Sequence, residues 1–287
     1  MRIGGGWAAA LAAVAAVAAR TTSLAAAETR SGDPYRGAVA IDAASGTVLF
    51  EDNADAAGYP ASMLKIMDLL IILEKVKQGA VRLEDTVTIT KEASSMGGSQ
   101  VYLDPRERFT VEQLLYALMV QSANDAAVAL AIHVAGTKEG FVGLMNERAR
   151  QLGMSSTTFH SVHGLPPGEG QEADMTTPRD FAVLCRELVL KHPEALAYTS
   201  TRERTFRENP PFVMRTHNHL LGEYEGCDGL KTGYFRAAGY SIAATASRGD
   251  RRVIAVVLGS VSRETRDAKA KELLAKGFLA AASVPKL

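Results

Sequence analysis

The stretch Pro60-Ala61-Ser62-Met63-Leu64-Lys65-Ile66-Met67 opens a long apolar run that continues to Val76. A proline just ahead of such a run is typical of a helix start. Ser62 and Lys65 are three positions apart, so on a helix they share one face. The free N–H groups and the positive dipole of a first helical turn disfavour an ammonium, which predicts a lysine of lowered pKa. A neutral amine beside a hydroxyl can take its proton and make the serine a nucleophile.

The pair Ser62 and Lys65 is weak evidence when taken alone, because both residue types are common. A capping serine followed by a solvated lysine fits the same four positions. The functional interpretation therefore depends on partners elsewhere in the chain.

The composition is that of an ordinary globular protein with a substantial core, since 47% of its 287 residues are hydrophobic. The 32 basic and 32 acidic side chains balance, so nothing indicates a nucleic-acid binder. Two cysteines, Cys185 and Cys227, are too few for a disulfide framework. Export would permit a bond between them, but buried free thiols are the preferred interpretation.

The first 27 residues have the pattern of a secretory signal peptide. Arg2 precedes an apolar run over 7–19 that is too short to span a bilayer, and Ala25-Ala26-Ala27 resembles a cleavage site. We expect cleavage before Glu28 and a secreted or periplasmic product, with an uncleaved N-terminal anchor as the alternative. Residues 28–36 are polar and predict a flexible N-terminus, and residues 37–287 predict one folded body.

The order of predicted elements indicates an α+β fold with strands at both ends of the chain and helices between them. A central antiparallel sheet would have the N-terminal hairpin at its edge and C-terminal strands in its middle, flanked by helices and a helical lobe. The predicted strands cover 38–42, 47–50, 85–90, 230–234, 240–246 and 253–259, with shorter ones within 201–221. The predicted helices begin at Ser62 and cover 111–120, 126–134, 141–152, 179–190 and 263–281.

Two further stretches carry polar side chains suited to a cleft between two lobes. Ser122-Ala123-Asn124 falls in a turn between two predicted helices, where the hydroxyl and the carboxamide can face the same way. Lys231-Thr232-Gly233 starts a predicted strand, so a cation and a hydroxyl can face a substrate carboxylate. Gly233 would let the substrate backbone approach closely.

In this order, Ser-x-x-Lys, Ser-x-Asn and Lys-Thr-Gly form the signature of penicillin-binding proteins and class A β-lactamases. Ala123 stands where the signature usually has Asp. The neighbouring sequences 60–67, 119–126, 141–146, 162–165 and 228–234 resemble the low-molecular-mass D-alanyl-D-alanine carboxypeptidases, and the similarity extends from about Gly37 to Phe278. The resemblance implies a β-lactamase/transpeptidase-like fold, with residues 37–287 as the DD-peptidase catalytic domain and the active site between its lobes.

The resemblance also implies a role for each motif residue in a serine acyl-enzyme mechanism. Ser62 would attack the bond between two D-alanines of a peptidoglycan stem peptide, with Lys65 as general base. Ser122 would relay protons, and Asn124 would orient Lys65 and hold the substrate amide. Lys231, Thr232, Gly233 and Tyr234 would bind the substrate, and the N–H groups of Ser62 and Tyr234 would form the oxyanion hole. β-Lactam antibiotics would be covalent inhibitors.

Several positions depart from the family's pattern. Leu64 and His217 stand where Thr and Arg are common, and Tyr234 replaces a frequent His, which affects the expected deacylation rate. Arg266 matches a basic residue of the family, although a surface role is equally consistent. The family's usual C-terminal β-domain and amphipathic anchor have no counterpart up to Leu287, so no stable membrane anchor is expected.

Three other functions stay open as alternatives to the carboxypeptidase. A DD-endopeptidase would use the same residues on cross-links. A β-lactamase would need a Glu-x-x-x-Asn motif, which is missing between Gly164 and Thr177. A wall-binding protein with a decayed site would lack the catalytic side chains. No cofactor is expected, and the pairs His160/His163 and His217/His219 lack the spacing of a zinc site.

Overall fold

The computed structural model describes Met1 and residues 34–282. Its centre is a five-stranded antiparallel sheet with the strand order β2-β1-β9-β8-β7. These strands are β1 (Gly37–Asp42), β2 (Val48–Asp52), β7 (Cys227–Phe235), β8 (Gly239–Arg248) and β9 (Arg251–Ser260). The predicted arrangement is confirmed, because the N-terminal hairpin forms one edge and strands from the C-terminal half fill the middle. Strand β7, at the other edge, carries the Lys-Thr-Gly motif.

Four short strands form two separate antiparallel pairs. They are β3 (Thr86–Thr88) with β4 (Arg108–Thr110), and β5 (Glu203–Glu208) with β6 (Pro211–Arg215). The sequence predicted β3 and the strands within 201–221, but it missed β4. A three-residue strand has too little alternation to stand out from a loop.

The helices lie on both faces of the sheet and in a lobe beside it. They are α1 (Lys65–Lys77), α2 (Lys91–Ser94), α3 (Val111–Tyr116), α4 (Asn124–Ala135), α5 (Lys138–Gln151), α6 (Pro178–Lys191), α7 (Ala195–Thr199) and α8 (Arg263–Ala281). The short helices α2 and α7 were not predicted, because four or five residues give no helical period.

Alternation along β9 divides the core between the two faces of the sheet. Val253, Ala255 and Val257 pack with Leu273 and Leu274 of α8. The intervening side chains join a larger cluster with α1, α4 and α6. One sheet therefore supports α8 on one side and the helical lobe on the other, and the fold class predicted from the sequence is confirmed.

Two predicted segments need correction. The helix expected over 111–120 is the six-residue α3 followed by a π-helical turn, Ala117–Gln121. Residues 34–36, expected to be loosely attached, pack onto the body: the Tyr35 hydroxyl donates to Oδ2 of Asp52 at 2.5 Å. The rest of the predicted signal and N-terminus, residues 2–33, lies outside the described residues.

Within the described part of the chain, no single helix is long and apolar enough to cross a membrane. Helices α4 and α5 have the length and composition of a membrane span only when they are counted together, and the two are bent by 83° relative to each other.

Candidate active site

Ser62 lies on a tight turn in front of α1 rather than on the α-helix itself. Residues Ala61–Leu64 form one turn of 3₁₀ helix, and α1 begins at Lys65. Ala61 has a φ of 47°, in the left-handed region that non-glycine residues rarely adopt. Backbone strain of this kind persists only where the surroundings impose it.

Two glycines from distant parts of the chain hold this turn in place. A Cβ on Gly164 would lie 2.3 Å from the carbonyl oxygen of Ala61, and a Cβ on Gly233 would lie 2.4 Å from that of Pro60. Both positions therefore exclude a larger residue. Gly233 thus has a structural role that the sequence analysis missed, because its missing side chain makes room for the turn that carries Ser62.

The amine of Lys65 is the centre of the site. Its Nζ atom lies 3.0 Å from Oγ of Ser62 and 2.8 Å from Oδ1 of Asn124. A third contact, 2.8 Å long, runs to the carbonyl oxygen of His163. Because each partner comes from a different part of the chain, the amine is held in one place next to the serine hydroxyl.

Burial shifts the acid–base behaviour of Lys65. The side chain is completely shielded from solvent, which lowers its pKa from 10.5 to about 7 despite the opposing effect of Asp68, Asp174 and Asp125. The sequence predicted a lowered pKa but assigned it first to the helix dipole, whereas loss of hydration is the main cause. At neutral pH a large share of the amine is unprotonated and able to accept a proton.

Ser122 and Asn124 come from the turn between α3 and α4, as predicted. Ser122 has a φ of 61° after the π-helical turn, and Asn124 is the first residue of α4. The Nδ2 atom of Asn124 donates to the carbonyl oxygen of Gly97 at 2.8 Å, so its Oδ1 atom is the one that faces Lys65. Asp125 fixes the adjoining wall by accepting bonds from the backbone N–H groups of Val101 and Leu103.

The Lys-Thr-Gly motif lies in the middle of β7, not at the start of a strand. Lys231 is buried, and its Nζ atom donates to the carbonyl oxygen of Thr232 at 3.1 Å. Burial lowers the pKa of Lys231 well below its usual range, and the positive charges of Lys65 and Arg266 add to that effect. Tyr234 is exposed at the rim, with its ring stacked on Tyr240 at 4.2 Å between centroids.

The cleft between the sheet edge and the helical lobe encloses a cavity of about 370 Å³. Its walls bring together Ser62, Ser122, Asn124, Thr232, Gly233 and Tyr234. Arg266 also lines it and is only 3% exposed, so the surface role that the sequence left open is excluded. His217 and His219 also line this cavity.

The sequence analysis missed the contribution of the segment after α5. The carbonyl oxygen of His163 binds Lys65, and Gly164 supports the Ser62 turn. Asp174 organises the segment by accepting bonds from the N–H groups of His160 and Ser161. A backbone carbonyl leaves no side-chain signal, although the sequence Val162-His163-Gly164-Leu165 was part of the family resemblance.

Neither a metal site nor a disulfide is found among the described residues. No group of three or more His, Cys, Asp or Glu side chains there could hold a metal ion. Cys185 is buried and Cys227 is half-buried, and they are free thiols, as preferred from the sequence.

A serine beside a buried lysine of lowered pKa, at a cleft between a sheet and a helical lobe, defines a fold and site of the penicillin-binding type. Residues 25–262 match the D-alanyl-D-alanine carboxypeptidase family, and the chain belongs to that family. The carboxypeptidase DacF of Bacillus subtilis is 38% identical over 245 residues, which are 85% of this chain and 62% of that protein. The chain thus spans less than two thirds of the length of this relative.

Solved structures agree with this assignment. Penicillin-binding protein 5 of Haemophilus influenzae has a TM-score of 0.80 and 32% identity, covering 88% of this chain and 73% of the other. Penicillin-binding protein D2 of Listeria monocytogenes, solved with ampicillin bound, has a TM-score of 0.77 and 32% identity, covering 88% of this chain and all of the other.

Proposed function

We propose that this chain is a serine DD-carboxypeptidase that removes the terminal D-alanine from peptidoglycan stem pentapeptides. The observation that carries the proposal is the 3.0 Å contact between Ser62 Oγ and a Lys65 amine whose pKa is lowered to about 7. Family membership and the printed names of the relatives support the substrate class.

Acylation begins when the unprotonated Nζ atom of Lys65 takes the proton of the Ser62 hydroxyl. The Oγ atom then attacks the carbonyl carbon between the two D-alanines. The backbone N–H groups of Ser62 and Tyr234 stabilise the oxyanion, a contribution of about 3–4 kcal/mol per donor in comparable sites. Asn124 holds Lys65 in position through its Oδ1 atom.

The proton must next reach the leaving amine of the terminal D-alanine. Ser122 lines the cavity and is the hydroxyl we assign to this relay. Departure of D-alanine leaves an acyl-ester on Ser62. Water then attacks the ester and regenerates the serine, with Lys65 acting again as the base.

The terminal carboxylate selects the free end of the peptide over an internal bond. Thr232 lines the cavity together with Arg266, whose guanidinium supplies positive charge. Lys231 is buried at the preceding position of β7, where burial favours its neutral amine, and the amine can donate a hydrogen bond in either protonation state. A carboxylate here would be held by charge-assisted hydrogen bonds, which are stronger than neutral ones.

The β-lactamase alternative requires a carboxylate that activates water against the acyl-ester. Glu169 and Glu172 in the loop after Gly164 are both exposed, and the Glu172 side chain is 82% exposed beside His160. Neither lines the cavity that contains Ser62. Asp174, the third acid of this loop, does not line that cavity either, and its carboxylate accepts bonds from the N–H groups of His160 and Ser161. The loop therefore places no acid on the cavity wall, and β-lactams should act as slowly released inhibitors.

Labelling with a β-lactam tests the proposal directly. Intact mass after incubation with penicillin should increase by one equivalent, and the tryptic adduct should include Ser62. A pentapeptide ending in D-Ala-D-Ala should lose its last residue, whereas a cross-linked dimer should be cut more slowly. Labelling of the Ser62→Ala variant, or an adduct at another residue, would refute the assignment, and faster cleavage of the dimer would favour the endopeptidase.

The predicted signal peptide, with this substrate class, supports action outside the cytoplasmic membrane. Residues 2–33 lie outside the described structure, so the signal peptide itself is supported by the sequence pattern alone. N-terminal sequencing that begins at Met1, together with membrane association resistant to salt, would favour the uncleaved anchor over a released protein.

A further inference from the structure

Asp68 is a buried carboxyl group that the mechanism above does not use. It lies one helical turn after Lys65 on α1 and is 2% exposed. Within residues 34–282, neither of its carboxylate oxygens has a hydrogen-bond partner. A buried carboxyl in this state is costly, so its presence calls for a compensating role.

Two other acids near Lys65 accept hydrogen bonds from backbone N–H groups, whereas Asp68 accepts none from the described residues. Asp125 accepts N–H bonds from Val101, Leu103 and Ala126. Asp174 accepts them from two successive residues of the segment after α5. These two carboxylates shape the walls of the site. Asp68 organises no backbone in this way, so a purely structural explanation is weak.

The charges around Asp68 point to Lys65 as its partner. Burial raises the pKa of Asp68 well above its usual range and Asp174 reinforces that shift, whereas the positive charge of Lys65 opposes it, so the ionised form of Asp68 is favoured when Lys65 carries a proton. Among the acids that favour the ammonium form of Lys65, Asp68 has the largest effect. The other titratable groups that interact electrostatically with Lys65 are Asp125 and Asp174, His163 and His217, and Lys231.

We propose that Asp68 is a positioning residue whose carboxylate is the counter-charge for the Lys65 ammonium, and so sets the pH at which Ser62 becomes reactive. This inference rests on the proposed acyl-enzyme function. When Ser62 is acylated, its proton moves from Oγ to Nζ of Lys65, and a positive charge appears on an amine that is completely shielded from solvent. Asp68 offsets that charge across one helical turn without touching the reacting atoms.

The consequence is a measurable shift in the pH dependence of acylation. Replacing the carboxylate by a neutral group destabilises the protonated form of Lys65, so the pKa of Lys65 should fall. The acid limb of the acylation rate should therefore move to lower pH by about one unit. The plateau should drop by roughly threefold or more, because proton transfer follows the strength of the base.

Two neutral replacements separate charge from packing. Asp68→Asn keeps the shape of the side chain, and Asp68→Leu replaces it by an apolar group of larger volume. We expect both variants to shift the acid limb by the same amount. The melting temperature of Asp68→Leu should equal or exceed that of the wild type, since an unpaired buried carboxyl is lost.

The measurement is the second-order rate constant for penicillin acylation from pH 5 to 9, with Tm recorded for each variant. Glu84→Gln removes one negative charge from an exposed position and is the matched control, whose acid limb should stay in place. An unmoved acid limb in Asp68→Asn, or a shift in only one of the two variants, would overturn the inference. A wild-type chain that is not acylated at all would instead refute the proposed function.

Discussion

Gly164 lies directly against Ala61, the residue before the serine. A Cβ at position 164 would be 2.3 Å from the carbonyl oxygen of Ala61 and 2.9 Å from the backbone nitrogen of Ser62. The neighbouring atoms belong to the backbone, so they cannot move aside as a flexible side chain would. The segment after α5 therefore determines the position of the nucleophile, although it is about 100 residues away in the sequence.

We first predict that Gly164→Ala lowers the rate of acylation by roughly a hundredfold, because small displacements of a reacting group have effects of this size. Gly170→Ala is the matched control: it has a similar positive φ of 74° in the same loop, with no atom within 4 Å of the added Cβ. Rates measured by intact mass, with Tm for both variants, check the prediction. Equal losses in the two variants would assign the effect to backbone strain instead.

Our second prediction concerns the general base. Lys65→Met removes the amine but keeps an unbranched apolar stem, so the acylation rate should fall by about 10²–10⁴-fold while the fold persists. Lys77→Met, at the exposed end of the same helix, should acylate normally. Single-turnover rates and circular dichroism are the measurements. A near-normal rate for Lys65→Met at neutral pH would show that another group is the base.

The third prediction is the pH dependence of the wild type. Only the unprotonated amine accepts a proton, so the rate should rise with pH through the pKa of Lys65, about 7, and then level off. Burial, with the charge of Lys65, lowers the pKa of His163 to about 4, so that imidazole is already neutral across this range. A pH profile of the acylation rate constant tests this. The His217→Gln variant should show the same rise in rate at the same pH. Loss of this rise in that variant would assign it to the imidazole of His217 instead of Lys65.

The fourth prediction is that amidating the terminal carboxylate of the substrate lowers kcat/KM by roughly tenfold to a hundredfold, since a charge-assisted hydrogen bond is worth about 1.5–3 kcal/mol. Thr232→Val should cost much less on the amide than on the free acid, because the group it contacts has already changed. Steady-state kinetics of the wild type and of Thr232→Val, each on the free acid and on the amide, give the four kcat/KM values required. The same loss on both substrates would mean that the Thr232 hydroxyl does not bind the carboxylate.

Much of the fold could be predicted from local patterns. The apolar runs of β8 and β9 and the turn at Gly46 are local features, so the hairpin and the C-terminal strands follow from neighbouring residues. Helix α8 was predicted with its observed limits. The π-helical turn before Ser122 was not, because the apolar pattern continues through it unchanged. Its effect, a left-handed Ser122, depends on packing rather than on propensity.

For the proposed active site, the sequence by itself identified the candidate side chains, since the three motifs name Ser62, Lys65, Ser122, Asn124, Lys231 and Thr232. Only the tertiary structure decided their pKa values and their positions relative to one another. The lowered pKa of Lys65 depends on complete burial, and its position depends on a carbonyl oxygen 98 residues away. Burial and long-range backbone contacts arise when the sheet, the lobe and the segment after α5 pack together, so no local pattern can contain them. The unpaired carboxyl of Asp68 is visible for the same reason only in the folded chain.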